Sequence, residues 1–282
     1  MVENCKYCLK EEAIENSHII PSFVFEWIKM TSATKVMRSA DNPNLRVQDG
    51  QKSALLCSVC EGKFAKVEEL FKKEYFSKVA NYRSLCPEEL DITPSIIKCI
   101  YIIAWRSLAD AVYFPRDHQY TDEEFLQFPS LLDEIKDAIE TGSFSKFKTH
   151  VIPCTKEVLT KLGLPQVPWH HYERSVTAEP RIWDNWERFI LYIQIPFSII
   201  VFEIVPNEDD AWVGTQLEGR SKIKLSEIES VPSYLATQVE HFYQAFVDAK
   251  SKLSDTQLKK IQDDVSNAGP NNGSFKTMKK SW

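Results

Sequence analysis

Cys5-Lys-Tyr-Cys8 and Cys57-Ser-Val-Cys60 decide how this chain folds, and Ser17-His18-Ile19-Ile20-Pro21 lies between them. Each C-x2-C pair can turn two sulfurs toward one ion about 2.3 Å away, so two pairs complete a tetrahedral thiolate shell. The spacing predicts a closed structural metal site, zinc first, held by Cys5, Cys8, Cys57 and Cys60. The plainer alternative is a set of buried thiols. The apolar Ile-Ile-Pro after His18 reads as a short strand stopped by a proline where a helix begins. That would fix the imidazole at a partly exposed position.

Working outward from the clip, Phe23, Val24, Trp27 and Ile28 recur at helical spacing and predict a short amphipathic helix over 22–30. Residues 34–38 and 45–48 flank Asp41-Asn-Pro-Asn44, whose turn formers predict a hairpin. Asp49-Gly50 reads as a tight turn back toward the metal. Past Cys57, the residues Phe64, Val67, Phe71 and Tyr75 share one helical face and would anchor the clip to a core. The same helix carries Glu61 and Glu68, seven residues and roughly 10 Å apart along the axis, too far for one magnesium ion to hold both easily. For either glutamate the plain reading is a solvated helix charge.

C-x2-C, then His-Ile-x-Pro, then Leu-Cys-x2-Cys followed by a polar side chain resembles the HNH nucleases of the treble-clef, ββα-metal class, over roughly residues 1–85. The resemblance implies that Cys5, Cys8, Cys57 and Cys60 hold a structural zinc and that His18 activates water against a phosphodiester. It further implies a divalent ion, Mg2+ or Mn2+, at the scissile phosphate. In that family an acidic residue commonly precedes the histidine and Asn or His commonly follows the last cysteine; here Ser17 and Glu61 stand at those positions. Glu61 is thus the expected catalytic ligand of the hard cation, with Ser17 and Glu68 behind it. The implied partner is nucleic acid, DNA foremost, with a protein partner or activating signal acting through the C-terminal part and no membrane. Among bacterial proteins such arrangements are frequent in phage defence and mobile elements. The alternative left open is a treble-clef zinc module that binds nucleic acid or protein without cutting, with His18 kept for packing.

A chain of 282 residues with 43% apolar content can build ordinary cores. The first residues lack the basic-then-apolar pattern of a secretory leader, so the expectation is a reducing, cytoplasmic setting in which cysteines serve as metal ligands or free thiols. The net charge of −6 argues against coating nucleic acid by charge alone. It is unevenly shared: residues 1–85 hold 13 basic and 11 acidic side chains, leaving 21 and 29 for the rest. Nucleic-acid contact is therefore expected on the N-terminal module.

Beyond residue 85 the pattern turns helical. Thr93-Pro94 opens an apolar run from Ile96 to Leu108 that predicts a central helix and the hub of a second core. Arg106 and Asp110, four apart on it, read as a helix-face ion pair. Thr121 with Glu124 is a capping-box signal for a helix ending at Gly142, and 155–162 predicts another ending at Gly163. Residues 165–180 read as a Pro-rich connection with His170 and His171 in a loop. The apolar run 189–205 is long enough to raise a membrane span, but Gln194, Pro196, Ser198 and Glu203 make it two buried strands, with 211–217 a third. Two amphipathic helices follow, one beginning near Pro232 and one at Ser254. The fold class is α+β: a zinc module over 1–85, a helical and late-β specificity or partner domain over 86–265, and a disordered tail over 266–282 with little to bury.

Overall fold

The computed structural model describes residues 3–14, 16–114, 120–183 and 186–282. Residues 3–14 form a knuckle that folds back on the second cysteine pair. Cys5 N–H donates to Glu11 O (2.8 Å), while Lys6 and Ile14 N–H donate to Leu55 O and Leu56 O (2.7 Å each). Two short strands follow the knuckle in space, β1 (Ser17–His18) and β2 (Lys52–Ser53), paired antiparallel as Ser17↔Ser53 and His18↔Lys52. The helix after Pro21, α1 (Ser22–Thr31), buries Phe23, Val24, Phe25 and Ile28. The expected 34–48 hairpin reduces to one bridge, Met37↔Val47, with its two hydrogen bonds at 2.9 Å. Strand partners come instead from the two ends of the intervening segment, so His18 lies opposite Lys52.

Cys57 caps α2 (Ser58–Phe71), which continues through a π turn at Lys72–Phe76 into α3 (Ser77–Val79). Strand β3 (Glu89–Asp91) leads into α4 (Pro94–Tyr113), where the Thr93 side chain accepts from Ile96 N–H and Pro94 takes the first turn. α4 is buried along most of its girth and is the hub, as its apolar run requires. It packs on α2 and on α5 (Asp122–Thr141), which opens with the Thr121/Glu124 capping box and closes at Gly142.

The main sheet is antiparallel, with order β4-β7-β6-β5: β4 (Lys148–Pro153), β5 (Thr177–Trp183), β6 (Arg188–Ile195) and β7 (Ser198–Val205). The apolar run 189–205 is the β6–β7 hairpin, split at Pro196 as its composition implied. Among the described residues no helix is long and apolar enough to cross a membrane. Phe197 sits in the hairpin turn at φ 63°, and its ring packs against Trp27 (6.0 Å) and Tyr82 (5.1 Å). Tertiary packing thus holds a backbone conformation that a bulky residue seldom adopts. The connection expected over 165–180 ends inside β5, which as an edge strand tolerates Pro180. Residues 211–217 make isolated bridges rather than a third sheet strand.

Helices α6 (Lys156–Lys161) and α7 (Trp169–Arg174) precede β5, and β8 (Lys222–Lys224) pairs with β3. His170 and His171 therefore lie on a helix, not in a loop. After α8 (Tyr234–Ser251) and α9 (Asp255–Asn267) the chain ends in α10 (Gly273–Met278). The expectation of a tail with nothing to bury is corrected here. Trp282 stacks on Trp169 at 4.4 Å and donates to Val167 O at 2.8 Å, while Lys280 pairs with the buried Glu173. In place of the two expected cores, a single buried cluster among the described residues runs from Cys5 to Val239. Its seam includes Tyr7 edge-on to Trp105 at 5.0 Å and the buried Tyr75–Ser198 hydroxyl pair at 2.8 Å.

Candidate functional site

The four sulfurs of Cys5, Cys8, Cys57 and Cys60 lie within 4.8 Å of one another. A tetrahedral shell with bonds of about 2.3 Å has S–S edges of about 3.8 Å, and Cys8 Sγ lies 3.8 Å from Cys57 Sγ. The set fits a metal such as zinc by both chemistry and spacing. Burial pushes the Cys5 and Cys60 thiols up, whereas backbone hydrogen bonding, that of Glu11 first, holds Cys8 at about 6. Metal loading must therefore displace protons.

Strand alternation sorts the residues beside the clip. Successive side chains on a strand face opposite ways, so Ser17 and Ser53 face inward while their neighbours His18 and Lys52 face outward. Ser17 is 0% exposed, and its Oγ accepts from Leu56 N–H at 3.0 Å. It ties the strand to the second knuckle and does not stand behind a cation on the side of His18. On the inner face, Gln51 and Ser53 both donate to Asp110 of α4.

On the outer face His18 Nε2 lies 2.8 Å from Asp49 Oδ1, and Asp49 Oδ2 lies 2.6 Å from Lys52 Nζ. Burial alone would raise the Asp49 carboxyl. Hydrogen bonds from Lys52, His18 and the Gly50 N–H outweigh it and hold the group at about 2. An ionised carboxylate only accepts, so Nε2 carries the proton and Nδ1 is the basic nitrogen of the neutral ring. The His18 ring stacks on Phe25 at 6.2 Å. A Cβ at Gly50 would lie 2.0 Å from the tip of Phe25, so glycine lets the Asp49 turn close over that ring.

Glu61 and Glu68 lie elsewhere than expected. Both carboxylates converge on Arg106 of α4, at 3.0 Å from Nη2 and 2.6 Å from Nη1 respectively. The Arg106 side chain is 1% exposed and its guanidinium lies over Phe64 at 5.3 Å. A planar fork spans the gap between two turns of α2 that one small cation would not. The second oxygen of Glu61 is buried and has no hydrogen-bond partner among the described residues. With Ser17 facing inward, both Asp49 oxygens engaged and Glu61 on Arg106, these residues do not fit a divalent catalytic cation at Glu61. Arg106 reaches across to α2, and Asp110 serves β2, rather than the two forming the simple helix-face pair read from their spacing.

Asp49 and Lys52 are the residues that sequence reasoning missed. Asp49 had only a turn signal, and Lys52 joins His18 through a strand register that no local pattern encodes. A third polar cluster lies in the body: His150 is within 3.0 Å of Glu203 and 2.9 Å of Thr215, and it stacks on Trp212. It is buried, and burial holds the imidazole low, so it reads as a satisfied core network.

No protein-family model, curated protein or solved structure matches this chain.

Proposed function

We propose that the chain is an HNH-type endonuclease that hydrolyses phosphodiester bonds of nucleic acid, DNA foremost, with His18 as general base. The observation that carries this reading is the His18 imidazole. It stands one short strand from the four-cysteine clip, partly exposed, with Nε2 fixed on Asp49 and Nδ1 left to take a proton. A purely structural knuckle has no need of an oriented, solvent-reaching imidazole.

In this reading a water oxygen attacks phosphorus while His18 Nδ1 takes one of its protons. The P–O bond to the leaving sugar oxygen breaks, and that oxygen takes a proton from solvent. One water is consumed per bond cut. Asp49 stabilises the imidazolium formed in this step, and the zinc clip holds β1 and β2 in register.

The test is cleavage of single-stranded and duplex DNA and RNA by the zinc-loaded full chain, with and without added Mg2+ or Mn2+. His18→Ala is expected to lose roughly 10²-fold or more while keeping zinc and melting temperature. Equal cleavage by the variant would remove His18 from the mechanism. A second reading, a treble-clef module that binds without cutting, is favoured by the engagement of Glu61 and Glu68 with Arg106. Oligonucleotide binding with no cleavage on any of these substrates would support it.

A further inference from the structure

The misfit at Glu61 raises the question of which group meets the negative charge of a phosphodiester at His18. On the outer face of β1 and β2, register places Lys52 directly opposite His18. Directly opposed strand residues have Cβ atoms about 4.5–5.5 Å apart, within reach of one phosphate. Both side chains touch solvent, His18 at 19% and Lys52 at 29% exposure, and Asp49 joins them through its two oxygens at 2.8 and 2.6 Å.

We propose that Lys52 is the phosphate-binding cation of this site, contacting a non-bridging oxygen of the phosphodiester that His18 addresses, and that Asp49 clamps the base and the cation at one place. The proposal rests on the nuclease reading and deepens it, since it names the group that recognises the substrate. An ammonium has three donors, and Asp49 takes one, so two remain for phosphate oxygens. Asp49 would otherwise repel the substrate. Its carboxylate, held ionised, is offset by Lys52 and by any proton gained at His18, so the cluster becomes net cationic when His18 acts as base. A second ammonium borders it: Lys29 Nζ donates to Gln48 O at 2.6 Å, a neutral partner one residue before Asp49. Meanwhile Glu61 and Glu68, the acids that could have called a divalent ion to the site, are paired with Arg106.

The experiment uses the zinc-loaded full chain in two formats, with Lys52→Gln and Lys52→Arg, zinc content and melts serving as folding controls. The first is cleavage of labelled DNA and RNA oligonucleotides. Lys52→Gln is expected to lose about 10²-fold in rate, in line with removal of a charge-stabilising donor, and Lys52→Arg to recover part of it. The second is fluorescence-anisotropy binding of the same oligonucleotides in a His18→Ala background across a salt series. There Lys52→Gln is expected to weaken binding and to reduce the slope of log K against log salt by about one, whereas Lys52→Arg keeps the slope. Wild-type cleavage and an unchanged salt slope in Lys52→Gln overturn the proposal. So does a Lys52→Gln loss that Mg2+ or Mn2+ restores only while Glu61 is intact. If no substrate is cut but the slope falls, the phosphate site stands and the nuclease reading falls. If nothing is cut and nothing is bound, both fall.

Discussion

Two ionic clusters differ in how far they are withdrawn from water, one joining α2 to α4 and one on the solvent side of β1 and β2. The inner cluster centres on the Arg106 guanidinium, 1% exposed, with Glu61 at 24% and Glu68 at 13%; the outer one has no fully buried member, with His18 at 19%, Lys52 at 29% and Asp49 at 37%. An ion pair withdrawn from solvent is costly to break, because removing one partner strands the other. An ion pair at the surface contributes little to stability, so its groups are free to change charge and contact a ligand. The inner cluster therefore fastens α2 to α4, and the outer one is where we propose the chemistry.

The largest effect tests what both clusters hang from. Removing metal, or Cys57→Ser, should unfold the N-terminal part, since structural zinc can contribute about 10 kcal/mol or more in small domains. Elemental analysis should find one zinc per chain, and chelator should collapse the melt of the full chain because the clip belongs to the common core. Next comes the inner cluster itself. Arg106→Met should cost about 3–5 kcal/mol by leaving two carboxylates poorly solvated, and adding Glu61→Gln and Glu68→Gln should recover part of it, as read by denaturant unfolding.

Two effects of about 2 kcal/mol follow. Deleting residues 268–282 removes α10 and the Trp282–Trp169 stack, and should lower the melting temperature by several degrees. Acid separates buried from exposed groups. Burial, then the neighbouring His170, pushes His171 down to about 4, against about 6.5 in the unfolded chain. Above 6.5 the ring is neutral in both states. Between 6.5 and about 4 the unfolded chain binds the extra proton, so stability falls with pH, by about 2 kcal/mol at pH 5. Asp49 is depressed from 3.8 to about 2, so its contribution is lost only as pH falls below about 4. His171→Gln should reduce the loss between pH 7 and 5, with His150 and His170, both also lowered by burial, supplying the remainder. The smallest effect is the most local: Asp49→Ala should change stability by less than about 1 kcal/mol yet raise the Nδ1–H tautomer of His18, read by nitrogen NMR of the imidazole.

The features legible in the sequence were those written locally. The cysteine pairs, the Thr93-Pro94 start of α4, the capping box at Thr121 and the split of 189–205 at Pro196 each depend on residues within a few positions of one another. What escaped depends on partners far along the chain. Asp49 meets His18 across 31 positions, and Glu61 and Glu68 meet an arginine roughly 40 positions away. Strand β5 hid behind Pro180 because only its place at the sheet edge makes proline harmless there. The tail looked unburiable because its one large anchor, Trp282, has no periodic companions and docks on α7 instead.

The most direct measurement compares His18→Ala with Glu61→Gln for both unfolding free energy and cleavage. His18→Ala is expected to stay within about 1 kcal/mol of wild type and to lose cleavage by roughly 10²-fold or more. Glu61→Gln is expected to lose about 1–3 kcal/mol, the scale of a charge-assisted hydrogen bond, and to keep its cleavage per folded molecule. A Glu61→Gln protein that is fully stable but inactive, and that Mg2+ or Mn2+ revives while His18→Ala still cuts, would reverse the roles of the two clusters and contradict the account.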